Sequence, residues 1–191
     1  MLKKSIWGAA LVLSCVLFLS GCKALTAIRG ALRFGEVTEF NYGVSALQYL
    51  PDIDQRAKAW RRDAYLFAIS EVEIDGGGNS NKWAYLFYAP GSGKSIIYTY
   101  DSGYIAQKET VLPPLNPVVN LKIDTPTALY KATEAARAFI AESGATTRVI
   151  SLIGPPHDTR QKTSKWQVVF HGSNKKHAVV LDAETGQILS K

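Results

Sequence analysis

Cysteine is nearly missing from this chain: 191 residues carry two, at positions 15 and 22, and none beyond. A disulfide in the body of the protein is thereby excluded, and stability must come from a packed core. Long apolar runs are missing as well. The stretch GAALVLSCVLFLSG, from Gly8 to Gly21, is shorter than the roughly 20 apolar residues that cross a bilayer. Histidine is scarce, with His157, His171 and His177 alone. His171 and His177 flank one hairpin and could begin a divalent site, but no cysteine or carboxylate pair nearby completes it, so solvated histidines are the better reading. A phosphate loop is absent too. Gly93-Lys94-Ser95 ends like one, yet the glycine that should stand five residues earlier is Tyr88. The following SIIYTYD favours a strand over the helix that a P-loop opens.

What is present begins with a targeting segment. Lys3 and Lys4 precede the apolar stretch, which ends in small residues, the layout of a signal peptide. Leu19-Ser20-Gly21-Cys22 resembles the lipobox of bacterial lipoproteins, which implies acylation of Cys22, removal of residues 1–21 together with Cys15, and attachment to a bilayer without spanning it. Lys23 stands where the family's sorting rule would place aspartate for inner-membrane retention. The resemblance therefore implies the outer membrane, facing the periplasm. Residues 22–43 form a lipidated tether. Leu25, Ile28 and Leu32 share one helical face, so a short amphipathic turn on lipid is open, although Gly30 and Gly35 favour a flexible spacer.

The rest of the chain repeats itself. Lys82–Lys108 aligns on Lys165–Lys191 without a gap at an offset of 83, matching Trp83 with Trp166, Phe87 with Phe170, Gly103 with Gly186 and Ile105 with Ile188. The turn around Gly93 then corresponds to GSNKKH and is a connection between strands. Leu129, Ala132, Ala136, Phe139 and Ile140 recur at helical spacing, with Thr125 to cap and Gly144 to stop. In the first copy Leu50, Ile53, Ala57 and Trp60 do so more weakly, with Pro51 starting or kinking the helix. Strands are expected at 65–74, 82–88, 95–100, 148–153, 166–171 and 178–182. Trp83, Tyr85 and Phe87 alternate onto one strand face that should meet the helix, as do Trp166, Val168 and Phe170.

The motif Asp182-Ala183-Glu184-Thr185-Gly186-Gln187-Ile188 after a Trp-led strand resembles the close of PepSY modules, a family of cystatin-like domains in secreted and envelope proteins. The first copy departs from it, with two residues fewer between Asp101 and Gly103. The resemblance implies an α+β fold of two tandem cystatin-like units, each a helix packed on a three- to four-stranded antiparallel sheet. Unit 1 occupies residues 44–110, a Pro-rich linker 111–124 and unit 2 residues 125–191. It also implies a binding module, with peptidase inhibition or regulation the usual proposal, and supplies no catalytic residues.

Chemistry is otherwise hard to find. Glu71, Glu73 and Asp75 alternate along one expected strand, a pattern of solvated faces more than of acid/base pairs. Charge divides the copies: residues 45–110 carry 7 Lys/Arg against 8 Asp/Glu, and residues 121–191 carry 10 against 6. The basic second copy, with Arg160, Lys162, Lys165, Lys175 and Lys176, can meet anionic lipid or an acidic partner, or be a screened surface. Five of nine tyrosines fall between 85 and 104. Their counterparts in the second copy are not tyrosine, so Tyr88, Tyr98 and Tyr100 are the candidate binding residues on a sheet face, unless that face buries itself. The expectation is a non-enzymatic protein without cofactor or metal. It would be held to the bilayer through Cys22 and bind a protein partner, a peptidase that it regulates; the alternative is an assembly accessory of an outer-membrane complex. Nucleic acid is not an expected partner.

Overall fold

The computed structural model describes residues 43–71, 73–113, 115–145, 147–155 and 163–191. Cys22, the signal peptide, the tether up to residue 42, His157, Arg160 and Lys162 lie outside them. The chain forms α1 (Leu50–Trp60), β1 (Tyr65–Glu71), β2 (Lys82–Ala89), β3 (Lys94–Asp101) and β4 (Tyr104–Thr110). It continues with α2 (Thr125–Ala135), α3 (Arg137–Ser143), β5 (Thr147–Ile153), β6 (Lys165–His171), β7 (Lys176–Asp182) and β8 (Ile188–Ser190).

All eight strands belong to one sheet, in the order β4-β3-β2-β1-β5-β6-β7-β8. This overturns the expected pair of tandem cystatin-like units, each with its own sheet. Two separate meanders would each leave the first strand with unpaired backbone groups, and here β1 and β5 satisfy each other antiparallel. The register of that seam is informative. Ile69 pairs with Leu152, its own counterpart at the 83-residue offset, and Ala68 pairs with Ile153 as Ser70 does with Ser151. The two halves are therefore related by an approximate two-fold axis normal to the sheet, through the Ile69–Leu152 pair.

Such an axis keeps the helices on one side. A single core runs beneath all three, built from Trp83, Tyr85 and Phe87 with Trp166, Val168 and Phe170, joined at the seam by Ile69, Ile150 and Leu152. The alternation read from the sequence places these side chains correctly. Each tryptophan fills the core and satisfies its indole N–H on a carbonyl, Trp83 on Val44 at 2.8 Å and Trp166 on Ile123 at 2.7 Å.

Helix boundaries have local causes. Pro51 lies in the first turn of α1, where its missing N–H costs nothing. Before α2 the cap is Asp124, not Thr125: its carboxylate accepts from the Thr125 amide at 2.6 Å and from the Leu47 amide. The Thr125 hydroxyl instead accepts from the Ala46 amide at 3.1 Å. The start of the second half thus clasps the segment that leads into α1.

The segment read as a linker lies against the sheet. The Ser95 hydroxyl donates to the Leu112 carbonyl, the Tyr65 hydroxyl to the Leu115 carbonyl, and the Val118 amide to Leu66. Leu112 and Leu115 cover a second apolar layer on the side away from the helices, with Phe67, Leu86, Ile97 and Tyr88. The strap passes so close to Gly154 that a Cβ there would sit 1.9 Å from the Asn116 carbonyl oxygen. Only glycine permits that approach.

Candidate functional site

The three candidate tyrosines do not share a surface. Tyr98 is 1% exposed and Tyr100 3%, both in the main core. Tyr98 meets Phe87 edge to face, and Tyr100 stacks on Tyr49 at 4.5 Å. Burial pushes both phenols above their ordinary range. Tyr88 points to the opposite side, half-buried against Tyr65 under the strap. The alternation was right for Tyr88, but assigning Tyr98 and Tyr100 a binding role overlooked that their cross-strand partners, Tyr85 and Trp83, fix them on the helix side.

The histidines do not converge either. His177 pairs with Phe170 and stacks on Phe139, whereas His171 pairs with Lys176 and so faces the other way. Burial, with the Lys176 charge beside it, pushes His171 below the usual imidazole range. Nor do the three acids line one strand. The strand ends at Glu71, whose buried carboxylate accepts from the Glu73 amide, and Asp75 accepts from the Gly77 and Asn79 amides in a turn. Among the described residues no group of three His, Cys, Asp or Glu is placed to hold a metal ion. No helix among them is long and apolar enough to cross a membrane.

What the surface does offer is an edge. The sheet ends on one side in β8, three residues long, and on the other in β4, seven residues long. β4 follows a two-residue turn in which Ser102 and Gly103 both have positive φ, 51° and 94°, the signature of a type I′ hairpin. In this turn the closing pair Asp101–Tyr104 is the bonded one, and bonded pairs then alternate. Tyr104, Ala106, Lys108 and Thr110 therefore bond to β3. Ile105, Gln107 and Glu109 point their N–H and C=O groups away from the sheet, and among the described residues nothing accepts or donates to them.

Edges of this kind are usually protected by charge or kept short. β8 is short. β4 has two charged residues, Lys108 and Glu109, and the Glu109 carboxylate accepts from Lys94 and from the Trp60 indole at 3.0 Å. These two hydrogen bonds, Lys94 first, hold Glu109 below the usual carboxylate range. At the ends of β4 stand two of the most exposed large hydrophobic residues, Tyr104 at 70% and Val111 at 73%. The edge was missed in the sequence, although its signal was there in the two residues missing between Asp101 and Gly103.

No family model matches the chain, and no curated protein does. The PepSY resemblance thus rests on the quoted motif alone. Among solved structures the chain is similar to a protein of Clostridium difficile 630 named a "putative lipoprotein". The TM-score is 0.51 at 16% identity, covering 80% of this chain and 94% of that one. At that identity the likeness is one of fold.

Proposed function

We propose that this chain is a bacterial envelope lipoprotein, acylated at Cys22, whose folded part works by holding another protein and not by catalysis. The observation that carries the binding role is the open edge of β4, three residues of outward backbone bracketed by Tyr104 and Val111. An extended segment of a partner can add to such an edge as a ninth strand, taking affinity from main-chain hydrogen bonds and specificity from the flanking side chains. The lipid anchor rests on Leu19-Ser20-Gly21-Cys22 and agrees with the name of the structural neighbour. In this reading the protein faces the periplasm from the outer membrane, and its partner is an extracytoplasmic peptidase that it restrains.

Position 107 provides the test. The Gln107 amide points outward, so Gln107→Pro deletes a docking donor without removing a bond of the β3–β4 ladder. Lipidated wild type should retain a peptidase from detergent-solubilised envelope, and Gln107→Pro of equal melting temperature should lose it. Capture of an assembly complex by both proteins equally would favour the accessory role and remove β4 from the account. Acylation is checked separately: labelled palmitate should enter wild type and not Cys22→Ser.

A further inference from the structure

The edge of β4 also matches itself. Its outward residues are Ile105, Gln107 and Glu109, evenly placed about Gln107. Two copies crossing antiparallel with Gln107 opposite Gln107 set Ile105 of each against Glu109 of the other. All three outward residues of both copies are then bonded. Shifting the register by two residues leaves one of the three unmatched. In the centred register Lys108 faces Ala106, so no like charges stand directly opposite, which is the arrangement that would penalise pairing.

The ends agree with the middle. Tyr104 and Val111 flank the strand at its two termini, and an antiparallel crossing brings the Tyr104 end of one copy to the Val111 end of the other. Both apolar side chains then gain a neighbour. The operation is one the molecule already performs: β1 meets β5 antiparallel about an axis normal to the sheet, through Ile69 and Leu152. Repeating it at β4 gives a closed isologous dimer with all helices on one side of a continuous sheet.

We infer that, when no partner is bound, the β4 edge is closed by a second copy of this chain. This rests on the reading of β4 as the binding edge and adds its regulation: a partner strand and the second copy compete for the same backbone groups, so a partner binds by displacing the dimer. Self-association then lowers the apparent affinity for partner as the concentration of the chain rises, as linkage requires.

A self-crosslink across the axis tests this directly. Cα atoms of a directly opposed bonded pair lie about 5.5 Å apart, inside the range a disulfide spans. In the full chain in detergent, with Cys15→Ser and Cys22→Ser to remove other thiols, Gln107→Cys should oxidise to a disulfide-linked dimer. Ala141→Cys, exposed on α3, should not. In the same background without the added cysteine, the chain should show a concentration-dependent monomer–dimer equilibrium by sedimentation, and Gln107→Pro should remain monomeric at unchanged melting temperature. A Gln107→Cys crosslink no greater than that of Ala141→Cys, or dimerisation undiminished by Gln107→Pro, overturns the proposal. These measurements contain no partner. A monomeric wild type that still captures a peptidase would therefore remove the dimer and leave the proposed function standing.

Discussion

The two halves of the molecule were built to one pattern and end differently. In the second, Asp182 organises a wide turn: its carboxylate accepts from the amides of Glu184 and Thr185 and from the Thr185 hydroxyl, and the chain returns as only three residues of β8. In the first, two residues fewer between Asp and Gly leave Ser102 and Gly103 as a type I′ turn, and β4 pairs with β3 along its whole length. The length of one turn thus decides whether a half ends in a short, protected edge or a long, open one. The open edge of the first half follows from that local difference, while the core is shared.

Shared packing should show first in the tryptophans. Trp83 and Trp166 are equivalent by sequence, both fully buried and both bonded to a carbonyl. Replacing either with alanine should cost about 3–5 kcal/mol. Because one core spans both halves, either variant should melt the whole chain in a single calorimetric transition. Two separated transitions, with one unshifted, would mean that the halves are independent.

The turns should separate what the tryptophans equate. Asp182→Ala removes a buried carboxylate that accepts from the Glu184 and Thr185 amides and the Thr185 hydroxyl, and should cost about 2 kcal/mol in urea unfolding. Asp101 accepts from the Ser102 hydroxyl and sits 3.6 Å from the Lys82 ammonium. Asp101→Ala should cost less than about 1 kcal/mol. Equal costs would break the claim that the two turns are held by different means.

The smallest effect is one of pH. His171 is the counterpart of Tyr88, and burial with Lys176 nearby lowers its pKa in the folded state. As pH falls through the unfolded imidazole value, about 6.5, the unfolded chain takes up the proton first and stability declines, levelling off below the lowered folded value. Asp182 acts in a lower window. Burial alone would raise it, but bonds from the Thr185 and Glu184 amides and the Thr163 and Thr185 hydroxyls outweigh that and depress it. Its contribution is present above the ordinary carboxylate value and is lost as pH falls through the depressed one. His171→Gln should flatten the stability profile between pH about 5 and 7 and leave the acid limb unchanged.

Much of the architecture was legible in the chain. The 83-residue repeat, the strand alternation of Trp83, Tyr85 and Phe87, and the helix starting at Pro51 all rest on local periodicity, which sequence records directly. The joining of the halves was not legible, because whether β1 pairs with β5 or stays an edge depends on contacts between residues 79 to 85 positions apart. The site suffered for the same reason. Tyr98 and Tyr100 looked available because tyrosine is amphipathic, and only the position of α1 and the Tyr49 ring decides that they are core. Asp124 took the cap expected of Thr125 because the incoming Ala46 amide claimed the threonine hydroxyl.

The most direct test of the open edge is amide exchange resolved along β4 by NMR, in dilute protein without partner. The structure predicts alternation: slow exchange at Ala106, Lys108 and Thr110, whose amides bond to β3, and fast exchange at Ile105, Gln107 and Glu109, which should slow when the protein is concentrated. Equal protection of all six amides in the dilute monomer would contradict it, since the edge would then be covered by this same chain.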